Sequence, residues 1–199
     1  MLMKLIELRK IEKFYFGYEE LARTLGISTA SARVTASRYV QKGLLVRIKR
    51  NLYVLRESWV AATREEKFLV ANLGQTPSYL SLMTALDYHN ITTQIQRDFF
   101  ESVATQRTKT LSAGGSVFRY SKISTDLYFG FEKKDGFFIA NPEKALLDAV
   151  YLSSYGRYAL DFSALDPKKI SRSEMDRMSR QYPYRTRKLL QAYGYLQTT

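Results

Sequence analysis

The stretch "GISTASARVTASRYVQKGLLVRIKRNLYVL", residues 26–55, constrains the fold of this chain most. Just before it, "YEELARTL" sets Leu21, Ala22 and Leu25 at helical spacing. Glu19 and Glu20 occupy the first turn, where the helix dipole favours acids. Gly26 suits the left-handed conformation that ends a helix, and Ser28 suits the N-cap of the next one. The following "SARVTASR" alternates polar and apolar residues like a half-buried strand. A helix accounts for it better: Ala32, Ala36, Tyr39 and Val40 then fall on one face, and alanine favours helices and is depleted in strands. Gly43 closes this helix. In "LLVRIKRNLYVL", Leu45, Arg47 and Lys49 alternate with Val46 and Ile48, and a second apolar run spans Leu52 to Leu55. Arg50-Asn51 between them reads as a tight turn, because Asn tolerates positive φ. A leading helix, two helices joined by a short turn and a basic hairpin make a winged helix-turn-helix.

Such a unit reads DNA by placing the N-terminal half of its second helix in the major groove. Arg33 and Arg38 lie opposite Ala32 and Ala36 and suit the O6 and N7 of guanine. Thr29, Ser31 and Thr35 suit phosphates or base edges, with Ser37 and Lys42 completing the exposed set. Arg47, Lys49, Arg50 and Asn51 on the wing suit the backbone or minor groove. The competing use of a winged helix is protein contact, which the basic wing disfavours.

The charge distribution agrees. The net charge of +12 is uneven: residues 1–58 hold 12 Lys/Arg against 5 Asp/Glu, and residues 168–188 hold 8 against 2. Two basic blocks point to polyanion contact, the second through Lys168, Lys169, Arg172, Arg177, Arg180, Arg185, Arg187 and Lys188. With no cysteine and a single histidine, His89, thiolate sites, disulfides and His-pair metal sites are excluded. His89 reads as a capping or surface group. No metal, cofactor or catalytic residue is expected. The charged N-terminus "MLMKLIELRKIEKF" lacks the apolar core of a signal peptide, no apolar run is long enough to span a membrane, and a cytoplasmic protein is expected.

After residue 64 the pattern changes, which places a DNA-binding domain at 1–64 and a second domain at 65–199. Residues 63–73 read as a helix, broken by Gly74 and Pro77, and "PSYLSLMTALDYHN" reads as another. "DFFESVAT", "SVFRYSKI", "LYFGFE" and "FFIA" read as strands, with "SAGGS" as a loop and Asp135-Gly136 as a hairpin turn. "NPEKALLDAVYLSSYG" opens with Asn141 at an N-cap and Pro142 at the first helical position. It carries Ala145, Leu146, Ala149, Val150 and Leu152 into a core. Two closing helices follow, separated by Pro183. The whole is α+β: a winged helix-turn-helix, then a mixed α/β domain with a small antiparallel-containing sheet.

With the halves in this order, the chain resembles the AbiEi family, antitoxins of type IV toxin–antitoxin systems from phage-defence (abortive infection) loci. The matching segments are "KRNLYVL", "PSYLSLMTALDYHNI", "FESVATQR", "FRYSKIS" and "FFIANPEKALLDAVYL", covering about residues 15–157. The family often has Gly at the wing tip, where this chain has Asn51. The resemblance implies a bifunctional protein. Its first domain binds repeats in its own promoter and represses the operon. Its second antagonises a nucleotidyltransferase-like toxin without a tight complex. Physically, "NPEKALLD" reads only as a capped core helix.

Two other readings compete. A DNA-cleaving enzyme would draw on Asp126, Glu132 and Lys134. However, Lys133, Lys134 and Asp135 fall in a turn, and Glu143 and Asp148, five apart, point to different faces of one helix. A ligand-responsive repressor would need a pocket that sequence does not reveal.

Overall fold

The computed structural model describes residues 6–197, and the chain divides into two compact units. The first runs to Val70 and takes in Leu111–Ser116. The second holds Ala71–Thr110 and the chain from Val117 onward. The division falls inside a helix that begins at Arg64, beside the sequence-based boundary.

In the first unit, β1 (Tyr15–Phe16) precedes α1 (Tyr18–Leu25) and α2 (Thr29–Gln41), and β2 (Leu45–Lys49) and β3 (Leu52–Leu55) form the hairpin. Residues 6–8 are helical, and the rest of the leading segment, residues 1–5, lies outside the described residues. Gly26 adopts φ +62 and donates its N–H to the carbonyls of Ala22 and Arg23, ending α1. Ser28 Oγ accepts from the Ser31 N–H, so the expected N-cap is made. Ala32 and Ala36 are fully buried, as small residues must be where two helices approach closely. They join Leu8, Ile11, Phe16, Leu21, Tyr39, Tyr53 and Leu55 in one core. The strands pair antiparallel in the order β1-β3-β2, with a register shift between Arg47 and Lys49. The strand β1 adds an outer pairing for β3 that the sequence pattern did not announce. A short helix, α3 (Arg56–Val60), then buries Trp59, whose indole N–H donates to the Gly114 carbonyl.

The helix α4 (Arg64–Gly74) leads into the second unit. The six-stranded sheet runs in the order β6-β7-β5-β4-β9-β8, where β4 is Ser78–Leu80, β5 Phe99–Ala104, β6 Lys109–Ala113, β7 Ser116–Lys122, β8 Phe131–Lys134 and β9 Phe137–Ala140. It is mixed: β4 is antiparallel to β5 but parallel to β9, and β5 is parallel to β7. Asp135 (φ +48) and Gly136 turn the β8–β9 hairpin as expected.

Three element readings change. Ser78–Leu80 is a central strand, not the start of a helix; α5 begins only at Leu82 and runs to Tyr88. Tyr79 and Leu80 are fully buried between strands on both sides, and that tertiary pairing overrides the local helical spacing. Part of "SAGGS" belongs to β6, because Gly114-Gly115 supplies the turn in two residues. In "LYFGFE", Thr125–Leu127 is a 3-10 turn and the strand starts at Phe131. Gly130 (φ +71) separates them, and a side chain there would meet Lys144 and Met178.

The closing elements are α6 (Pro142–Ser154), α7 (Arg172–Ser179) and α8 (Tyr184–Ala192). Asn141 holds the N-cap position of α6 with extended backbone, though its side chain makes no capping bond. Ala145, Leu146, Ala149, Val150 and Leu152 are fully buried. Among the polar residues buried in the second unit, Glu101 and the pair Lys144–Asp148 carry charge into the core. Glu101, 2% exposed, accepts from the Met83 N–H at 3.2 Å and the Tyr158 hydroxyl at 2.8 Å. Burial raises its carboxyl pKa against the pull of those donors. A carboxyl raised on folding adds stability below its unfolded pKa and loses it as pH rises through the folded one. Glu101→Gln keeps an acceptor and removes the charge. Urea unfolding at pH 7 and at pH 4 is therefore expected to show wild type gaining on the variant as pH falls. A difference independent of pH would show that the buried charge costs nothing.

The other group is an ion pair on α6. Lys144 and Asp148, both 0% exposed, meet at 2.6 Å. The Lys144 ammonium also donates to the Leu127 carbonyl at 2.6 Å and to the Tyr182 hydroxyl at 2.5 Å, and lies 4.7 Å from the Phe129 ring centroid. Asp148 accepts from Tyr79, Ser81 and Tyr182 at 2.8–3.1 Å. Desolvation lowers the Lys144 pKa against the pull of Asp148, and burial pushes the Tyr79 and Tyr182 phenols well up.

Candidate nucleic-acid interface

The two helices and the hairpin of the first unit sort their side chains by charge. On α2, Ala32, Ala36 and Tyr39 face inward, while Thr29, Ser31, Arg33, Ser37, Arg38 and Lys42 are exposed and Thr35 is half-buried. On the hairpin, Val46 and Ile48 are buried, Arg47 and Arg50 are exposed and Lys49 is half-buried. Among the described residues, none of Arg33, Arg38, Lys42, Arg47, Lys49 and Arg50 is held in an ion pair. Several other cations of this unit are paired: Arg9 with Glu57 at 2.7 Å, Lys13 with Glu20 at 2.8 Å, and Arg23 with Glu20 at 3.5 Å. Unpaired cations therefore concentrate on the second helix and wing, which is the pattern a phosphate backbone recruits.

Tyr53 on β3 stands opposite Arg47 in the β2–β3 ladder. Its hydroxyl donates to Tyr18 at 3.2 Å, and burial with that bond pushes its pKa up to about 12. The positive charges of Arg47 and Arg33 oppose the rise.

The wing tip carries a duty not visible in the sequence. Asn51 takes φ +59, as its turn requires, and its Oδ1 accepts the Tyr18 N–H at 2.5 Å. The turn residue thus caps α1 from across the unit, in place of Gly17, which has no side chain to do so. Gly17 is constrained in return: a Cβ there would sit 2.8 Å from Asn51 Oδ1. What Asn51 offers to solvent is its amide nitrogen.

Sequence reasoning missed Val34. It is 51% exposed, between Arg33 and Arg38 on the outward face of α2. The signal was present: Val34 follows Ala30 by four and precedes Arg38 by four, away from the alanine face. An exposed valine among polar neighbours offers an apolar contact of the kind a thymine methyl accepts.

In the second block, the cations differ in availability. Lys169 donates to the Asn90 carbonyl at 2.6 Å, and Arg177 is held by Glu174 at 2.5 Å. Arg185 lies over the Tyr155 ring at 5.5 Å. Lys168, Arg172, Arg180, Arg187 and Lys188 are exposed and have no ion-pair partner among the described residues. Met175, Met178 and Leu190 are buried and Leu189 half-buried, so the cations occupy the outer side of α7 and α8. His89 ends α5, half-buried, with Nε2 2.8 Å from the Ala140 carbonyl. The acids weighed for an enzyme are dispersed: Asp126 and Glu132 are exposed, Glu143 accepts from the Ser171 N–H, and Asp148 is enclosed by its donors. No helix among the described residues is long and apolar enough to cross a membrane.

Residues 3–56 match a family described as "Transcriptional regulator, AbiEi antitoxin". No curated protein gives a match. Among solved structures, the crystal structure of the RV2827C protein from Mycobacterium tuberculosis has a similar fold. Its TM-score is 0.58 at 13% sequence identity, covering 96% of this chain and 76% of that one. At that identity the likeness concerns the fold alone.

Proposed function

We propose that this chain is a transcriptional regulator of the AbiEi antitoxin type, a reading supported by the family match over residues 3–56. Its winged helix-turn-helix binds repeats in its own promoter and represses its operon. The observation that carries this reading is the set of cations on α2 and the wing that no acid pairs among the described residues. Thr29, Ser31, Thr35, Ser37 and Asn51 contribute polar contacts around them. The second unit antagonises a nucleotidyltransferase-like toxin of a type IV system in the cytoplasm, without a tight complex. Its exposed basic face on α7 and α8 supports that role by offering a polyanion surface separate from the operator-reading helix. The protein acts as a regulator and antitoxin, not as an enzyme. The ligand-responsive alternative finds little support in the first unit. The groove of about 410 Å³ beside α1 is lined by Lys13, Glu20 and Arg23, whose charges already satisfy one another.

Promoter DNA tests the reading. Arg33→Ala is expected to cost about 1–3 kcal/mol at the operator, with little change on random duplex, if it bridges a guanine. Gel shifts on both DNAs measure this, and unchanged operator affinity removes Arg33 from the readout. Val34 gives an independent check. Replacing operator thymines with deoxyuridine deletes methyl groups, and one buried methyl is worth about 0.8 kcal/mol, roughly fourfold in affinity. Wild type is expected to show that loss and Val34→Ala to show none. Equal losses in both proteins would place the thymine contact elsewhere.

A further inference from the structure

We propose that the groove between α6 and α8 binds single-stranded nucleic acid, with one backbone phosphate between Arg185 and Lys188 and a base stacked on the flanking tyrosines. This deepens the reading of the second basic block as a polyanion face and rests on it.

The groove measures about 360 Å³. That lies within the roughly 300–1,000 Å³ of small-ligand sites, so it suits one nucleotide unit and not a helix. Arg185 and Lys188 are three apart on α8 and so project to one side. They stand above small side chains, Ser153 on α6 and Ala192 on α8. Of the eight cations in this block, Lys169 and Arg177 are already engaged by protein oxygens, whereas Lys188 has no such partner among the described residues and Arg185 meets only an aromatic ring. Two free cations over an apolar floor leave positive charge that an anion completes.

Small side chains, Ser153, Ser154 and Ala192, keep the floor low. Ser153 Oγ is enclosed and makes no hydrogen bond, while its neighbour Ser154 Oγ donates to the Tyr151 carbonyl and meets Thr186.

The aromatic groups decide between single strand and duplex. Tyr184, 69% exposed, shares a helix face with Lys188 four residues on, and Tyr155, 45% exposed, lies under the Arg185 guanidinium. Duplex bases are stacked inside the helix and present only phosphates and edges. Unpaired bases stack on tyrosine and on arginine planes while the backbone follows the cations.

The test uses the full-length protein carrying Arg33→Ala, Arg38→Ala, Lys42→Ala, Arg47→Ala, Lys49→Ala and Arg50→Ala, which removes the unpaired cations of α2 and the wing. Fluorescence anisotropy follows a labelled eight-nucleotide RNA of mixed sequence, with unlabelled single strand or the matching duplex as competitor. Adding Arg185→Ala with Lys188→Ala is expected to weaken binding tenfold or more. It should also lower the salt slope by about 0.7, the value for one phosphate contact on a single strand. Tyr184→Ser is expected to weaken binding fivefold or more at unchanged salt slope, as loss of one stacked base does. Arg97→Ala with Lys133→Ala, a charge-matched pair of exposed cations on other elements, is expected to change neither. Absence of single-strand binding, an equal loss in the charge-matched pair, or competition by duplex as strong as by single strand would each overturn the proposal. Toxin is absent from this assay, so its failure leaves the antitoxin reading standing. That reading fails separately if the full chain does not restore growth to cells expressing the toxin.

Discussion

Replacing Lys144 with Met destabilises the second unit by about 3–5 kcal/mol, the usual cost of stranding one partner of a buried ion pair. Asp148 would keep its three hydroxyl donors but lose its cation, and the carbonyl of Leu127 would keep only the Phe129 N–H of its two donors. The loss is large against the roughly 5–15 kcal/mol that holds a typical domain together. Urea unfolding followed by tyrosine fluorescence measures it. The double variant Lys144→Met with Asp148→Asn is expected to recover part of the loss, since the stranded charge is gone and the amide oxygen still accepts from Tyr79 and Ser81. A double variant no more stable than the single one would mean that the lysine contributes through packing against Phe129 and Tyr182 and not through charge. The experiment also bears on the string "NPEKALLD", which by its sequence reads only as a capped core helix. In this fold its charged residues serve the core.

The second large effect belongs to the wing. Arg47, Lys49 and Arg50 each release counterions if they meet phosphates, at about 0.9 per contact in the slope of log K against log salt. Neutralising all three is expected to flatten that slope by about 3. Because the counterion term vanishes toward 1 M salt, the same three contacts are worth about 10²–10³-fold in affinity at 0.1 M. The loss should fall alike on operator and random duplex, since phosphates carry no sequence. A loss confined to the operator would make the wing a base reader. Arg47 needs one further control, because it also acts on the Tyr53 phenol. A thermal melt of the triple variant separates lost contacts from a loosened hairpin.

The helix-turn-helix was legible because its signals are local. Gly26 and Ser28 act on their own turn, and Ala32, Ala36 and Tyr39 reveal the buried face of α2 by spacing alone. The same holds for Asn51 and Asp135-Gly136 at the hairpin turns, where one backbone conformation selects few residue types. Pro142 and the apolar spacing after it announced α6 in the same way. What sequence missed depends on partners far along the chain. Ser78–Leu80 is a strand because β5 and β9 flank it, although its own residues continue the spacing of the helix that follows. The capping of Tyr18 by Asn51 joins residues 33 apart. Lys144 and Asp148 stand four apart on α6, a spacing that sequence shows, but the same spacing marks a solvated surface pair. Only the packing of Tyr79, Phe129 and Tyr182 around them makes the pair a buried one, because desolvation depends on every neighbour in space and not on the neighbours in the chain.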